Sequence, residues 1–558
     1  MTPGAVVLTA LLIVIAALLD IRLVRWLRRR RGAVPSRDAS QAREIPLPVE
    51  GPPRQLRPLL TPSSDSAEGP PRRPFPATGG LVPSFRRHMQ FEFFRDIPRW
   101  IRLSIALAGL LTSGAIGLRY ARDVMVEGWQ LWAWVVALAA TTIALMPLRW
   151  PSPPRRLPWV WLGGLLVAAL LLRVSFLETI PGWLHPDEAG LALYTQLHVY
   201  PRPALTVSPF VTGSAVQPTL HSYIVFLALR LAGESITSIR LPSALAGTLA
   251  VLATYAVIAT IDRRRTALIA AAVMTTYHYH IHWSRLALNN VWDSLWVPLV
   301  LAAFAWGWKR KWSGGAVLAG LGLGLSQYFY SGSKVVVFLL ALLVIQLWRE
   351  SRDARRMAVH LSKLATTAVC AAAPLGFFAL FNPGIYLARL PLVMGWTPEA
   401  VRQVTGSVDG WWEYFWHQLS HAFGAYLFHS DVTGFYGPGI AFTFGVSAAA
   451  FALGALWAIR TRRWMPLAWV LITAFLGGFV MLGAPSSSHY VVSIPGIVWL
   501  IALPIDGLIE RGWWKLALAW LAAIMISDLV FYFGILIPRG VPHLSVPFPT
   551  VSTPEPPG

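Results

Sequence analysis

The sequence has very little cysteine and few acidic residues. Cys370 is the only cysteine among 558 residues, so one chain can form neither a disulfide framework nor a thiolate metal site. Charged residues make up 13% of the chain, and 26 Asp and Glu stand against 47 Lys and Arg. The sequence also contains no Walker-type phosphate loop and no repeat period. These absences exclude a disulfide-stabilised secreted domain, a P-loop nucleotide enzyme and a solenoid.

Apolar residues are abundant. They make up 55% of the chain, and the mean hydropathy is +0.54. A soluble core could not bury this much apolar surface, so the composition indicates an integral membrane protein. The net charge of +21 comes from short Arg clusters separated by apolar spans. This pattern is typical of cytoplasmic loops that contact anionic membrane lipids, and no nucleic-acid partner is expected.

The chain divides into regions of different composition. The apolar N-terminus is followed by Arg28 to Arg31 and has no visible cleavage site, which predicts a retained helix with its start outside the cell. The Pro- and Arg-rich segment after it predicts a disordered cytoplasmic linker, ending in an interfacial helix over Phe85 to Asp96. The predicted regions are an N-terminal transmembrane helix (1–31), the linker (32–96), two additional helices (97–156), a catalytic membrane core (157–381) with an outer loop (178–240), a second outer loop with an aromatic amphipathic helix (382–436), and C-terminal helices with a short outer tail (437–558).

We predict an all-α bundle of about 14 transmembrane helices, since each span needs about 20 apolar residues. The predicted spans after the first are 101–118, 129–148, 157–177, 241–261, 266–283, 291–308, 314–330, 335–348, 364–381, 437–459, 464–482, 490–509 and 516–537. If these spans simply alternate, every basic cluster falls on one side, which is therefore the cytoplasm. The alternation requires that Thr219 to Leu231 does not cross, because His221 and Arg230 would be costly in lipid.

Two adjacent acids stand in the motif "HPDE" in the first outer loop. Asp187 and Glu188 follow the span 157–177 and precede the apolar-periodic stretch Ala189 to Val199. Two interpretations remain open. Asp187 could cap this helix while Glu188 favours its positive end, or the pair could do acid–base chemistry, and the two roles are compatible.

Cationic and histidine side chains share the predicted outer face. A lipid-linked phosphate would need such cations, whereas each one taken singly could be an interfacial residue that reaches toward headgroups. His278 and His282 are four residues apart and share one helical face, so a divalent metal held with Glu188 is a possible cofactor. Interfacial histidines are the competing interpretation.

The order of several motifs resembles the membrane glycosyltransferases of the GT-C fold. These motifs are "HPDE", "QPTLHSYIVFLALRLAGES", "SIRLPSALAG", "HWSRLALNN" and "SQYFYSGSK" and, more weakly, "SSSHYVVSIPG". The resemblance covers about Leu157 to Glu350 and is to glycosyltransferase family 39, the protein O-mannosyltransferases, and the related aminoarabinose transferases. It implies a GT-C bundle with outer juxtamembrane helices, a polyprenyl-phosphate-linked sugar as donor, and a lipid, glycan or protein as acceptor.

The resemblance also implies roles for individual residues. Asp187 would be the general base and Glu188 would orient the acceptor or hold a metal. The donor phosphate would be bound by Arg240, Arg285 or Lys334, and substrate contacts would come from His185, Gln217, Tyr330, His489 and Tyr490. One departure is that Gln217 stands before Pro218 where the aminoarabinose transferases have a Lys, so another cation must supply phosphate binding there.

Two other function classes share part of this pattern. A transporter or flippase of lipid-linked sugars should bury ionisable groups at the bilayer midplane, and Asp293 and Asp528 are the only acids near such positions. A polysaccharide polymerase or ligase would use a later, larger outer loop, which 382–436 provides. We predict an inverting glycosyltransferase of the plasma membrane that acts on the outer side.

Overall fold

The computed structural model describes residues 97–122, 129–151, 158–196, 210–211, 217–218, 220–431, 433–437, 439–540 and 545–549. The predicted N-terminal helix, the linker and the interfacial helix at Phe85 to Asp96 lie outside these residues. Within the described part the chain is a multi-pass, all-α membrane protein, as predicted.

The first half of the bundle contains eleven named helices. They are α1 (Arg99–Arg122), α2 (Trp129–Leu145), α3 (Trp159–Val174), α4 (Pro186–Tyr194), α5 (Leu220–Ala232), α6 (Ile236–Ile261), α7 (Arg264–Thr276), α8 (His278–Ser284), α9 (Asp293–Lys309), α10 (Gly314–Ser326) and α11 (Val335–Ser351). Two short strands, β1 (Phe210–Val211) and β2 (Gln217–Pro218), pair antiparallel. Single 3₁₀ turns at Asn289–Trp292 and Ser331–Lys334 lead into α9 and α11.

The second half continues with longer and shorter helices. They are α12 (Ala354–Phe381), α13 (Pro383–Tyr386), α14 (Leu390–Val393), α15 (Pro398–Thr405), α16 (Trp411–Gly424), α17 (Gly445–Arg460), α18 (Trp464–Ala474), α19 (Ser487–Tyr490), α20 (Ile494–Glu510), α21 (Trp514–Leu529) and α22 (Ile537–Arg539). Wider π turns extend α18 over Phe475–Phe479 and α21 over Val530–Leu536, and a 3₁₀ turn at Val491–Ser493 joins α19 to α20.

Helical length and composition agree with a membrane-spanning bundle. By length and composition alone, seven described helical segments could cross a membrane: Arg99–Arg122, Ile236–Ile261, Asn289–Lys309, Ser331–Ser351, Ala354–Phe381, Ser487–Glu510 and Trp514–Arg539. Each of the thirteen spans predicted after residue 100 overlaps at least one described helix. The total of about fourteen stays a prediction, because it includes the N-terminal helix.

The core lies around three helices, α6, α9 and α20. The apolar window of the segment that contains α20 is 89% buried, against 28% for α1 and for the last long helix. Small residues let helices approach closely. A side chain at Gly454 of α17 would overlap the backbone of Leu500 in α20, and one at Gly320 of α10 would overlap Leu364 of α12. The central helices therefore form the fixed frame on which the loops are mounted.

The predicted span 266–283 is wrong as a single helix, because the chain breaks at Tyr277. The break frees carbonyl groups that have no partner in lipid. Arg173 of α3 is fully buried and donates to the carbonyls of Met274 (3.0 Å) and Thr275 (3.1 Å), and it contacts His280 Nδ1 at 2.7 Å. A buried arginine thus replaces the missing helical hydrogen bonds, which apolar periodicity does not reveal.

The basic clusters meet at one end of the bundle, here named the basic end. Arg265 pairs with Asp506, Arg263 pairs with Glu510, and Lys309 donates to the carbonyl of Thr260. The opposite end, here named the loop end, carries α4, α19 and the 3₁₀ turns at Asn289–Trp292 and Ser331–Lys334. Helix α5 contacts the loop end through His221, which lies 6.0 Å from the Trp292 ring, and through Leu229. These contacts agree with the prediction that α5 does not cross.

Candidate active site

Two buried arginines fix the loop between α3 and α4. Arg285 is 1% exposed and donates to the carbonyls of Leu172 (2.7 Å), Ser175 (2.7 Å), Phe176 (3.1 Å) and Ile180 (2.9 and 3.0 Å). Arg240 is 0% exposed and donates to the carbonyls of Leu177 (3.0 Å), Pro181 (3.0 Å) and Trp183 (2.7 Å). The planar guanidinium suits this task because its donors are held in a rigid fork. The loop that carries the acid pair therefore has a defined backbone.

Glu188 is fully occupied by protein partners. Its carboxylate accepts from Arg240 Nε (2.9 Å) and a terminal guanidinium nitrogen of Arg240 (3.1 Å), and from the backbone N–H groups of Ala287 (2.7 Å) and His185 (3.1 Å). The pair Arg240–Glu188 is 0% exposed on both sides. With the carbonyl bonds, all five donors of Arg240 are satisfied. Such a closed network is what a buried ion pair needs in order to be stable.

His185, not Asp187, caps α4. The His185 Nδ1 accepts from the backbone N–H of Asp187 at 3.0 Å, and Glu188 accepts from the backbone N–H of His185, which completes a capping box. Because Nδ1 is an acceptor, the neutral ring carries its proton on Nε2. Burial lowers the pKa of His185, and the charges of Asp187 and Glu188 oppose that effect. The interpretation of Asp187 as the helix cap is therefore wrong.

Asp187 lies in the first turn of α4 with its side chain exposed. Among the described residues its carboxylate forms no hydrogen bond or ion pair. The backbone on both sides is fixed, since its own N–H is bonded to His185 and its neighbour Glu188 is bonded to Arg240. The positive end of α4 further favours a charged carboxylate at this position. Asp187 is thus an exposed carboxylate on a rigid support.

The predicted phosphate ligands are in different situations. Arg240 and Arg285 are buried and directed at oxygens of the chain itself, so this arrangement offers no support for either as a phosphate ligand. Lys334 is exposed in the turn before α11, with its Nζ 5.5 Å from the centroid of the Tyr386 ring. Arg389, between α13 and α14, is also exposed. The exposed Lys334 and Arg389 are therefore accessible to an anionic group, unlike the two buried arginines.

The predicted metal ligands do not converge. His278 Nδ1 contacts the hydroxyl of Tyr436, and His278 Nε2 lies 3.5 Å from Asp528. His282 Nε2 bonds to the carbonyl of Phe435 at 2.8 Å, and Glu188 is held by Arg240. In the described ranges no three His, Cys, Asp or Glu side chains form a group that could hold a metal. The set Glu188, His278 and His282 is therefore corrected to three residues with separate partners.

Of the residues predicted to contact substrate, some lie together and others have partners within the protein. Tyr330 and His489 come together, with ring centroids 6.4 Å apart, and both are half-buried. Tyr490 is buried and donates to the carbonyl of Ala422 at 2.8 Å, so its hydroxyl serves packing. His185 stacks on Phe435 at 4.5 Å. Gln217 lies in β2, paired with Val211, and nothing is described of its side chain.

No role was predicted for Asp431, which organises a loop at this end of the bundle. Asp431 is 7% exposed and accepts from the backbone N–H groups of Thr433 (3.0 Å), Tyr436 (3.3 Å) and Ser487 (3.0 Å). It therefore joins the segment before α17 to the start of α19. The Asp-x-Thr-Gly turn in "DVTGF" is the local signal that could have identified it.

The comparisons with known proteins agree with the motif order. Residues 216–377 match the family model described as dolichyl-phosphate-mannose-protein mannosyltransferase. The resemblance to membrane glycosyltransferases is confirmed for this segment. The matched segment includes Arg240 and Arg285, but it begins after Asp187 and Glu188. No curated protein matches the chain.

Solved structures with similar folds are all distant. They include the oligosaccharyltransferase AglB from Archaeoglobus fulgidus in complex with an inhibitory peptide and a dolichol-phosphate (14% identity, 68% of this chain and 56% of that chain, TM-score 0.43). ArnT from Cupriavidus metallidurans bound to undecaprenyl phosphate gives 16% identity, 69% and 74% coverage and a TM-score of 0.45. The arabinosyltransferase EmbB from Mycobacterium smegmatis is 13% identical over 68% of this chain and 34% of that chain, with a TM-score of 0.41. The chain spans little more than half the length of AglB.

Proposed function

We propose that the protein transfers a sugar from a polyprenyl-phosphate-linked donor to an acceptor hydroxyl or amine on the outer side of the plasma membrane. The family match supports glycosyl transfer, and the exposed carboxylate of Asp187, without a bond among the described residues, is the observation that carries the proposal. Of two adjacent acids, one is completely bonded inside the protein and the other is exposed on a fixed backbone. A general base needs that combination of access and defined direction.

The proposed step is an inverting displacement. The acceptor O–H or N–H gives its proton to Asp187 while its oxygen or nitrogen forms a bond to the anomeric carbon. The bond between that carbon and the phosphate oxygen breaks, and polyprenyl phosphate departs with the electron pair. Lys334 and Arg389 are the exposed cations that would stabilise the developing phosphate charge. Arg240, Arg285 and Glu188 position the base and do not contact substrate.

The test is Asp187→Asn in membranes supplied with radiolabelled polyprenyl-phosphate sugars. The amide keeps the size of the side chain and cannot accept the proton, so transfer should fall by about 10²- to 10⁴-fold. Asp187→Glu is the matched control, since it keeps a carboxylate and should retain measurable transfer. Unchanged transfer in Asp187→Asn would remove the proposed base. Protease protection of a tag near Gly182 tests the side of the membrane separately.

A transporter of lipid-linked sugars has one observation in its favour. Asp293 and Asp528 are both buried within spanning segments, and Asp528 lies beside His278 rather than standing alone. The same labelled membranes distinguish the two functions. Movement of intact labelled lipid across the bilayer, with no transfer to any acceptor, would support transport and reject the transferase.

A further inference from the structure

Asp293 is a buried acid without a satisfying partner. It begins α9, is 1% exposed, and neither of its carboxylate oxygens forms a hydrogen bond with any residue that the structure describes. A buried carboxylate without hydrogen bonds costs several kcal/mol, so a site of this kind calls for an explanation. Glu188, with four bonds, shows what a purely structural acid looks like in the same protein.

Polar groups surround Asp293 on the loop-end side. Gly332 lies so close that any side chain there would overlap the Asp293 carboxylate, and Ser333 and Lys334 follow it in the same turn. The Tyr330 hydroxyl interacts with the side chains of Ser488 and Asn290. These groups come from three separate elements: the turn before α11, the turn before α9, and α19.

The exposure of the side chains in this cluster decreases from the surface to the interior. Lys334 and Arg389 are exposed, Tyr330 and His489 are half-buried, and Asn290 and Asp293 are buried. Arg389 interacts electrostatically with Tyr330. Cations therefore stand at the mouth of the cluster and an unbonded acid lies at its base.

Aromatic rings next to Asp293 also carry unused donors. Trp292 stacks on Phe329 with centroids 4.5 Å apart, and Trp296 lies 5.6 Å from the same ring. The indole Nε1 atoms of both tryptophans are buried with no hydrogen-bond partner in the described residues. The vicinity thus offers unused acceptors and unused donors beside flat apolar faces.

This chemistry fits a sugar better than a metal ion. Sugar hydroxyls both donate and accept, and their rings stack on aromatic faces, whereas a metal would need more anionic ligands and no neighbouring ammonium. We propose that Asp293 accepts hydrogen bonds from hydroxyls of the donor sugar, whose phosphate is bound by Lys334 and Arg389. The inference rests on the proposed function and names the donor site within it.

The turn before Asp293 leads back to the network that holds the acid pair. The backbone N–H of Ala287 bonds to Glu188, next to Asp187, and Asn290 is three residues further along the chain, a span of at most about 11 Å. One short stretch of backbone therefore joins the cluster to the support of the proposed base.

The experiment compares two lipids on the purified full-length chain in nanodiscs. Polyprenyl-phosphate mannose and sugar-free polyprenyl phosphate are titrated, with tryptophan fluorescence as the readout. Asp293→Asn should weaken binding of the mannosyl lipid about tenfold or more, since it replaces an acceptor oxygen with an N–H donor, and should leave the sugar-free lipid unaffected. The double variant Lys334→Ala with Arg389→Ala should weaken both lipids.

Trp292→Phe keeps a ring and removes one donor, so it should weaken only the mannosyl lipid even if Asp293→Asn fails to fold. Glu510→Gln at the basic end is the control and should bind both lipids normally. Equal loss for both lipids in Asp293→Asn, or no loss in either variant, would overturn the proposal. The proposed function would fail separately if Asp187→Asn transferred sugar normally while Asp293→Asn still weakened binding of the mannosyl lipid alone.

Discussion

Two ion pairs of equal length stand at opposite ends of the bundle. Arg240 and Glu188 lie 2.9 Å apart at the loop end with both side chains 0% exposed. Arg463 and Asp262 also lie 2.9 Å apart, at the basic end, but are 22% and 10% exposed. The Arg263–Glu510 pair of the basic end is 50% and 40% exposed. Distance alone therefore does not indicate what a pair contributes, because burial decides how much each charge depends on its partner.

The difference also separates structure from function at the loop end. The Arg240–Glu188 network satisfies every donor of the arginine and both oxygens of the acid. Asp293 is a buried acid of this end whose carboxylate has no such bond among the described residues, and Asp187 is an exposed one. A completed network positions a loop, whereas an incomplete one is available to a ligand.

The largest effect is expected from breaking the buried pair on one side. Glu188→Gln or Arg240→Met leaves an uncompensated buried charge, which typically costs about 3–5 kcal/mol. The double variant removes both charges and should be less destabilised than the sum of the two single variants. Thermal unfolding in detergent, measured for all three, gives the coupling free energy between the residues. If the single variants unfold at the wild-type temperature, the network does not hold the loop.

The acid pair illustrates how far the sequence could be interpreted. The apolar spans predicted the all-α membrane fold correctly, whereas the site at the "HPDE" motif stays a prediction. The roles within the pair depended on which acid met Arg240, and that arginine is 52 residues further along the chain. Long-range partners of this kind leave no periodic signal in one sequence. The predicted phosphate role of Arg240 and Arg285 rested on the same missing information.

The histidines predicted as metal ligands show a second limit of interpreting a single sequence. Spacing placed His278 and His282 on one helical face, but spacing says nothing about which other elements approach that face. The partners of this helix come from the segment before α17 and from α21, namely Tyr436, Phe435 and Asp528. Tertiary packing therefore assigned each histidine its own partner. Local propensity also could not show the break at Tyr277, which depends on a buried arginine from α3.

A smaller effect should come from pH through His185, at the exposed end of the buried network. Burial lowers its pKa below the ordinary value of about 6.5, so the unfolded chain binds the proton first as the pH falls. Stability should therefore be complete above pH 6.5 and decline from there toward the lowered pKa of the folded protein. His185→Asn keeps a good N-cap and removes the titration. Its unfolding temperature should change less between pH 7.5 and 5 than that of the wild type, and an identical decline would assign the acid sensitivity to other groups.

The smallest effect is expected at the basic end, where Arg263 and Glu510 are half exposed. Water screens both charges and each side chain is free to find other partners, so removing the pair should cost no more than about 1 kcal/mol. Glu510→Gln should also lose most of its effect in high salt, because exposed charges are screened there. The loop-end variant Glu188→Gln should be nearly insensitive to salt, since no ion reaches a pair that is 0% exposed. Unfolding temperatures of the two variants at low and high salt compare the same chemical change at the two ends. Equal salt dependence would mean that burial does not distinguish the pairs, and the assignment of Glu188 to structure rather than chemistry would lose its physical basis.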